Sequence, residues 1–374
     1  MNSSVHRAVA TIDLTAIAEN ARALRARAGV ELMAVLKADA YGHGLIPVAK
    51  AAISGGATWL GTALLQEALD LRLAGINDVR IMAWLTPPGD QYREAIENDI
   101  DLSAASVESV EEIAGIARRM NRKARLHLEV DTGMTRGGAL GAWPDVVAAM
   151  AEHVELGELY LAGVWSHFAR ADEPGHPANM AQRNSFEEAL RVVYSAGMQP
   201  EVRHLSNSAA TLADPDARYD LVRTGIALYG LSPDPNTLGS AARYGLRPAM
   251  SLTARLLLVK DVPEGVAVSY GGTAITQRAT RVGIVPMGYA DGVPRHGSNA
   301  LSVGFDGKVT PVLGRICMDQ FVIDLGPNSQ AKAGDEVTLF GPSGPSVDDW
   351  AIASTTINYE IVTRLGPRVM REFV

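Results

Sequence analysis

The sequence predicts an α/β protein that joins an N-terminal (β/α)8 TIM-like barrel, residues 1–240, to a C-terminal, mainly β domain, residues 241–374. In the first two-thirds of the chain, apolar strand-like runs alternate with helical segments, and eight strands separated by helices are typical of this barrel. After about residue 240 the chain changes to short β-rich runs separated by Gly, Pro and Asp turns. A length of 374 residues suits a large barrel plus a smaller domain.

The individual elements follow from apolar runs, helical periodicity and turn residues. The predicted barrel strands are 32–36, 59–63, 79–84, 102–104, 124–130, 159–166, 202–205 and 220–223. The predicted helices between them include 14–27, 65–73, 107–120, 143–152 and 180–196. The predicted strands of the second domain are 251–259, 279–286, 300–303, 309–313, 320–324 and 336–340. Residues 7–13 alternate in character and could form a strand joined to the β domain.

Composition narrows the classes of partner. The formal net charge is −8 and no basic run is present, which argues against a nucleic-acid partner. No apolar segment approaches the length of a membrane span, and the N-terminus lacks the pattern of a signal peptide. Cys317 is the only cysteine, which excludes a disulfide within the chain and a cysteine-based metal cluster. We therefore expect a cytoplasmic protein that acts on a small molecule without a metal or a membrane.

A lysine lies at the end of the first predicted barrel strand. The apolar run 32–36 is followed by Lys37 and a small, Gly-rich turn that ends at Gly44. Barrel enzymes keep their chemistry at this end of the strands, and a lysine in a dry site can lose its proton and attack an aldehyde. An isolated strand-end lysine more often only reaches solvent. The block 34–44 favours chemistry, because it resembles the lysine block of the alanine racemase family, in which this lysine binds pyridoxal 5'-phosphate (PLP) covalently.

Two predicted loops are candidates for a phosphate site. One follows the seventh barrel strand and the other follows the eighth, where TIM barrels often bind phosphate through backbone amides. Taken alone, the first loop would more often only cap a helix. In the family, matching residues hold the PLP phosphate. The resemblance implies this role for Asn207, Ser208, Gly225, Ile226 and two tyrosines, Tyr41 and Tyr359.

Arg223, near the end of the eighth strand, separates two kinds of PLP chemistry. An arginine there is usually ion-paired or solvated, but the resemblance implies that it faces the pyridine nitrogen of the cofactor. A guanidinium disfavours a protonated ring nitrogen, which makes the ring a weaker electron sink. The weaker sink suits racemisation and suppresses transamination. Decarboxylases of the same architecture have a carboxylate at this place.

Racemisation needs one acid–base group on each face of the substrate α-carbon. The resemblance implies that Lys37 serves one face and Tyr270, which precedes two glycines, serves the other. A free tyrosine titrates at about pH 10, so a tyrosine base needs cationic neighbours. His167 matches the histidine that bridges the pyridine arginine and this tyrosine, although a histidine considered alone would more often be structural.

The loop after the fifth strand departs from the family at several positions. Arg136 matches an arginine that contacts the phenolic oxygen of the cofactor and the substrate carboxylate region. Many members carry a carbamylated lysine seven residues earlier, where this chain has Glu129. We expect Glu129 to supply the carboxylate that orients Arg136 without carbon dioxide. Thr135, Gly137 and Gly138 also differ from the usual pattern, and the sequence offers no physical reason.

The C-terminal domain carries the remaining matches. Met318 and Asp319 resemble a segment that the family inserts from the partner subunit toward the substrate carboxylate. Tyr289 lies in a motif that resembles the entrance channel. Further channel positions are matched by Asp172, His204, Arg295, Arg315 and Ile357. Cys317 is predicted to be a small buried hydrophobic residue.

The resemblance covers nearly the whole chain, from the Lys37 block to Tyr359. It implies a homodimeric, fold-type III, PLP-dependent alanine racemase that supplies D-alanine for peptidoglycan. The nearest alternative is a racemase of broader range that also accepts serine, because an apolar pocket discriminates weakly against one hydroxyl. A decarboxylase is disfavoured by Arg223. A non-catalytic PLP-binding protein is disfavoured by the β domain with Tyr270 and Met318.

Overall fold

The computed structural model describes residues 6–374 of the chain. Residues 1–5, on which the expected lack of a signal peptide partly rests, lie outside this range. The described residues form two compact units. The barrel unit comprises Thr15–Ala40 and Leu45–Arg247, and the β unit comprises the residues up to Leu14, Tyr41–Gly44 and Pro248–Val374. No helix in the described range is long and apolar enough to span a membrane.

The elements have the following bounds. The strands are β1 Ala8–Ile12, β2 Glu31–Val35, β3 Trp59–Thr62, β4 Arg80–Ala83, β5 Ile100–Ala104, β6 Ala124–Glu129, β7 Leu159–Trp165, β8 Val202–His204, β9 Leu221–Thr224, β10 Met250–Arg255, β11 Leu258–Val262, β12 Ala267–Val268, β13 Ala274–Ile275, β14 Thr280–Val285, β15 Ser302–Phe305, β16 Lys308–Leu313, β17 Phe321–Asp324, β18 Glu336–Phe340 and β19 Met370–Phe373. The helices are α1 Leu14–Ala28, α2 Lys37–Gly42, α3 Leu45–Ser54, α4 Leu65–Leu73, α5 Tyr92–Glu97, α6 Val107–Met120, α7 Trp143–Glu155, α8 Pro177–Ser195, α9 Ser208–Ala213, α10 Pro235–Leu238, α11 Val347–Ala353 and α12 Asn358–Thr363.

The barrel unit contains one sheet of eight parallel strands in the order β8-β7-β6-β5-β4-β3-β2-β9. Its first and last strands are joined by backbone hydrogen bonds from Asp220 N to Arg203 O and from Arg223 N to Ser206 O. The inner strands are almost continuously buried, as in β3 and β5, because helices cover a parallel sheet of this kind. This architecture, together with a mainly β unit, confirms the predicted fold class.

The β unit contains a nine-stranded sheet in the order β11-β14-β17-β16-β15-β18-β10-β1-β19, with β12 and β13 as a separate pair. The N-terminal strand β1 lies between β10, which runs antiparallel to it, and β19, which runs parallel. Its alternating burial follows the alternating sequence.

One predicted strand of the β unit is wrong. The run 251–259 is two strands, because the backbone changes partner in its middle. Leu256 N donates to Asp335 O, whereas Leu257 N donates to Ile284 O. β10 therefore pairs with β18 and β11 pairs with β14.

The turn after β2 is a left-handed helical turn rather than an irregular Gly-rich one. Four successive non-glycine residues, Ala38 to Tyr41, have φ between 52° and 55°. Such a backbone costs on the order of 1–2 kcal/mol for each residue with a Cβ. Within the barrel unit it is held by hydrogen bonds from Ala40 N to Leu36 O and from Leu45 N to Asp39 Oδ1. The surrounding contacts thus stabilise a conformation that these residues do not prefer.

Candidate active site

Lys37 lies at the C-terminal end of the barrel strands, one residue beyond the buried Leu36. Burial lowers the pKa of its ammonium group, and the positive charge of Arg136 lowers this pKa further. The carboxylate of Glu67 acts in the opposite direction. A lysine with a lowered pKa is more readily available as a nucleophile toward an aldehyde.

Glu67, which the sequence analysis missed, ties the lysine turn to the neighbouring strand end. Its Oε1 accepts a hydrogen bond from Ala38 N at 2.7 Å, and its Oε2 accepts from Ala63 N at 3.0 Å and Leu64 N at 3.1 Å. The carboxylate of Glu67 therefore joins the turn after Lys37 to the loop after β3. The sequence signal was available, because a glutamate at the third position of a helix is typical of an N-terminal capping arrangement.

Arg223 extends from β9 with only 5% of its surface exposed. Its Nη1 donates to His204 O at 2.8 Å and lies 3.2 Å from His204 Nδ1. Its Nη2 donates to Ser166 O at 2.7 Å, lies 3.2 Å from His167 Nδ1 and makes a longer contact with Leu205 O. Burial lowers the pKa of Arg223 to about 9, against the opposing effect of Glu129. The guanidinium is anchored through Nη1 and Nη2, and Nε takes no part in these bonds.

His167 lies next to Arg223 and is held neutral. Burial lowers its pKa well below the usual value, and the charges of Arg223, Arg136 and Lys37 act in the same direction. Since the guanidinium of Arg223 can only donate to His167 Nδ1, the single proton of the neutral ring must be on Nε2. His167 therefore presents an Nε2–H donor.

His204 is not an entrance-channel residue, which corrects the sequence expectation. It belongs to β8, has no exposed surface and lies inside the barrel. Trp165 stacks on its ring with centroids 5.9 Å apart and planes 6° apart. A histidine at the end of a short strand gives no sequence signal that separates these two locations.

Glu129, at the end of β6, is half-buried between charges of both signs. Burial raises the pKa of its carboxyl group to about 7, Arg223 and Arg136 lower it, and Asp131 raises it. The described residues show no hydrogen bond between Glu129 and Arg136, so the two interact through charge. Arg136 itself is exposed.

The two predicted phosphate loops meet in the structure. Ser208 Oγ, after β8, accepts a hydrogen bond from Gly225 N at 2.9 Å and a longer one from Ala227 N. Asn207 Oδ1 accepts from Ala210 N and thus caps α9, the simpler role considered for it. Ile226 begins a short 3-10 helix, and the first N–H groups of a helix have no partner within it.

In the β unit, three loops with predicted site residues are joined to one another. Tyr289 N donates to Cys317 O at 3.1 Å, and Ala290 N donates to Met318 O at 3.0 Å. Ser269 Oγ, next to Tyr270, donates to Arg315 O at 2.6 Å. The side chains at the tips of these loops are exposed: Tyr270 (71%), Met318 (53%) and Tyr289 (43%). Cys317 is half-buried rather than buried, 3.4 Å from Ser269 Oγ.

Asp291 anchors these loops and was missed as an individual site residue. It has no exposed surface and accepts hydrogen bonds from Arg7, Arg368 and Gly288 N. Arg368 also donates to Asp319 Oδ1 at 2.8 Å, which links the buried carboxylate to the predicted substrate segment. The sequence could not pair residues from both ends of the chain.

Tyr41 and Tyr359, the predicted phosphate tyrosines, lie together in the β unit. Their ring centroids are 6.2 Å apart. Burial raises the pKa of Tyr41, so its hydroxyl stays protonated and able to donate. Gly42 follows with φ of 77°, and a Cβ there would lie 2.4 Å from Val362 O, which only glycine allows.

These observations define a class of protein. It has an α/β barrel with a lysine of lowered pKa, a buried arginine and a neutral histidine at the strand ends, and a mainly β unit that exposes a tyrosine. Comparison with known proteins gives the particular family. The sequence model of the alanine racemase N-terminal domain matches residues 12–233, and that of the alanine racemase C-terminal domain matches residues 249–373. The chain belongs to the alanine racemase family.

Relatives and solved structures agree along the whole chain. An alanine racemase of Frankia casuarinae is 52% identical over 373 residues, which is 98% of this chain and 96% of the relative. One of Streptomyces coelicolor is 53% identical over 380 residues, 99% of this chain and 97% of the relative. The crystal structure of alanine racemase from Streptomyces lavendulae has a TM-score of 0.97 at 50% identity and covers 100% of this chain and 98% of its own. That from Bartonella henselae, with covalently bound pyridoxal phosphate, has a TM-score of 0.88 at 28% identity and covers 99% and 100%.

Proposed function

We propose that this chain interconverts L-alanine and D-alanine by moving the α-proton between two groups, Lys37 and Tyr270, and so supplies D-alanine for peptidoglycan. The family makes the chain a PLP-dependent racemase, an isomerase. The observation that carries the residue-level proposal is the environment of Lys37, a strand-end lysine whose pKa is lowered by burial and by Arg136.

The residues present fit PLP. Lys37 offers the amine for a covalent bond to the aldehyde. Ser208 offers its hydroxyl and its backbone N–H at the start of α9, and Ile226 offers its backbone N–H at the start of the short 3-10 helix. Gly225 N donates to Ser208 Oγ and so holds the two loops together. Thr224 Oγ1, next to Gly225, is buried without a hydrogen-bond partner in the described part of the chain, as expected where a polar ligand completes a site. Asn207, Tyr41 and Tyr359 would contribute further polar groups to the phosphate.

Arg223 is suited to the pyridine nitrogen. Nη1 and Nη2 are occupied by His204, Ser166 and His167, which leaves Nε–H as the donor for an acceptor in the site. A ring nitrogen that accepts this hydrogen bond cannot also carry a proton. When bound, PLP would supply electron withdrawal from the Cα–H bond of the substrate, and Arg223 would limit this withdrawal to what proton removal requires.

Lys37 and Tyr270 would exchange protons with opposite faces of the α-carbon. The neutral His167, with its proton on Nε2, can donate a hydrogen bond to a tyrosine oxygen. Arg136 and the backbone N–H groups of Met318 and Asp319 would hold the substrate carboxylate, with Glu129 as the charge opposite Arg136 and Tyr289 at the entrance.

We propose a homodimer in which Tyr270 and Met318 of one subunit complete the site of the other. The exposure of both side chains on the β unit supports this arrangement, because exposed large apolar groups often mark an interface. We also expect a cytoplasmic location, which the single cysteine supports.

The test is a stereochemical assay of the PLP-loaded protein. Starting from pure L-alanine, we expect an equal mixture of enantiomers, with L-serine converted more slowly under the same conditions. An enzyme that yields no D-alanine would overturn the proposal. A product that lacks the carboxyl group would indicate a decarboxylase instead.

A further inference from the structure

An unbroken row of polar side chains crosses the interior of the barrel, where branched apolar residues are usual. Asp101 in β5, His127 in β6 and His204 in β8 each have no exposed surface. His204 Nε2 lies 2.9 Å from His127 Nδ1, and His127 Nε2 lies 3.2 Å from Asp101 Oδ2. Together with Arg223, they form a connected chain of four side chains from four different strands.

The direction of every hydrogen bond in this chain is determined by its ends. Arg223 can only donate, so His204 Nδ1 accepts at 3.2 Å and the proton of His204 is on Nε2. That proton is donated to His127 Nδ1, so the proton of His127 is on Nε2. It is donated in turn to Asp101, whose carboxylate can only accept.

Arg125 closes the chain at the end opposite Arg223. Its Nε donates to Asp101 Oδ1 at 2.8 Å and its Nη2 to Asp101 Oδ2 at 3.2 Å, while Nη2 also reaches Glu201 at 2.7 Å. Burial acts to raise the pKa of Asp101, but the hydrogen bonds from His127 and Arg125 and the charge of Arg125 outweigh it and leave the pKa lowered. Asp101 is therefore an ionised acceptor.

The backbone makes room for this chain. A Cβ on Gly163 in β7 would lie only 2.2 Å from His127 Nδ1, so any side chain there would displace the ring. The register between β6 and β7 shifts between Leu126 and His127, an irregularity that redirects side chains and is common beside functional sites. Both features serve His127 and are unnecessary for an ordinary apolar interior.

We propose that Asp101, His127 and His204 are positioning residues for racemisation. They hold the guanidinium of Arg223 in one orientation through a row of hydrogen bonds that all donate in the same direction, toward Asp101. This rests on the proposed role of Arg223. Because Nη1 is engaged by His204 and Nη2 by Ser166 and His167, Nε has a single direction in which to donate. Asp101 controls this geometry from three side chains away.

The first experiment needs no variant. Nitrogen NMR of the PLP-loaded protein with ¹⁵N-labelled histidine distinguishes a proton on Nδ1 from one on Nε2. We expect both His127 and His204 to carry their proton on Nε2 and none on Nδ1. A proton on Nδ1 of either ring would overturn the proposal.

The second experiment is Asp101→Asn, which nearly preserves shape. If the amide nitrogen of the substituted side chain faces His127, the proton of each histidine must move from Nε2 to Nδ1, and His204 then directs an N–H at the Arg223 guanidinium. If the amide nitrogen faces Arg125, two hydrogen-bond donors oppose each other at that position. We expect a changed histidine signal and a loss in kcat/KM of about 10- to 100-fold, the scale of a misplaced catalytic group. The matched control is Asp214→Asn, whose carboxylate pairs with Arg183 and contacts none of these residues. Asp101→Asn with kcat/KM within about twofold of wild type would overturn the proposal.

Arg223→Lys separates this inference from the role of Arg223 itself. If Arg223→Lys impairs racemisation and Asp101→Asn does not, the positioning chain is wrong and the proposed function stands. If Arg223→Lys is fully active, the proposed role of Arg223 is wrong, and the hydrogen-bonded row of Asp101, His127 and His204 has no catalytic group to position.

Discussion

The carboxylate of Glu129 lies against the backbone of Gly137: a Cβ on Gly137 would be 3.0 Å from Oε1 and 3.1 Å from Oε2. The two departures from the family pattern therefore belong together. A Cβ at position 137 would press on the glutamate carboxylate, which would have to shift by a few tenths of an ångström. The structure thus supplies a physical reason that the sequence did not offer. Gly138 has its own reason, since it has φ of 92° and a Cβ there would lie 2.5 Å from Asp131 N.

Gly137→Ala should lower kcat/KM, because the added methyl displaces the Glu129 carboxylate from its place near Arg136 and Arg223. The matched control is Gly141→Ala in the same loop, where an added Cβ meets no atom within 4 Å. Steady-state kinetics of both variants provide the check. Equal activity of Gly137→Ala and wild type would show that the position of Glu129 is unimportant.

Glu129→Gln should lower kcat/KM, because the charge opposite Arg136 is lost. The expected loss corresponds to about 1–3 kcal/mol of transition-state stabilisation. Activity of the wild type should not depend on bicarbonate, since no lysine carbamate has to form. Kinetics in carbon dioxide-free buffer check both statements. A wild-type enzyme that requires bicarbonate would contradict the proposed role of Glu129.

Glu129→Gln should lower activity but raise the stability of the fold relative to wild type as the pH increases. Burial raises the pKa of Glu129 to about 7 in the folded chain. The folded state therefore binds this proton more tightly than the unfolded state does, and protonation of Glu129 stabilises the fold. As pH rises from the unfolded value through about 7, the folded state binds more protons than the unfolded one, and this contribution to stability is lost. The Tm of wild type relative to Glu129→Gln should therefore fall between about pH 5 and pH 8. If the difference in Tm between wild type and Glu129→Gln does not change with pH, the pKa of Glu129 is not raised in the folded chain.

Lys37→Ala should abolish the visible absorbance of covalently bound cofactor together with racemisation, while the fold is retained. The control is Lys50→Ala, an exposed lysine of α3. Absorption spectra before and after borohydride reduction provide the measurement. A Lys37→Ala protein that still holds a borohydride-reducible bond to PLP would rule out Lys37 as the attachment site.

Arg223→Glu should strengthen the electron sink, so that racemisation slows and more pyruvate is formed as a transamination by-product. Arg223→Lys keeps the charge and guards against misfolding of the glutamate variant, and Arg191→Glu serves as an exposed control. Chiral analysis and a pyruvate assay follow both products. An unchanged pyruvate yield in a folded Arg223→Glu enzyme would separate Arg223 from the pyridine nitrogen.

Subunit mixing tests the shared site. Lys37→Ala and Tyr270→Ala should each be nearly inactive, and exchange of subunits should restore activity. Random exchange makes half of the dimers heterodimers, each with one complete site, so recovery should approach about a quarter of wild type. If exchange is verified by mass and no activity returns, both groups act from the same chain.

The sequence by itself determined the fold class and the set of candidate residues. Apolar strand-like runs alternating with helical segments are local patterns, and they predict a barrel without knowledge of contacts. The Lys37 block and the order of the later motifs are equally local, and they carry the family resemblance from one end of the chain to the other.

Only the tertiary structure decided how distant residues meet. Asp101, His127, His204 and Arg223 come from four strands, and only the closed sheet brings them into one row. His204 was misplaced because a strand-end histidine has the same local sequence whether it faces a channel or the barrel interior. The left-handed turn at Ala38 to Tyr41 opposes local preference, and contacts such as that of Glu67 with Ala38 N hold it. Local preference is weak compared with the sum of tertiary hydrogen bonds and burial, so the places where they disagree could be found only in the folded molecule.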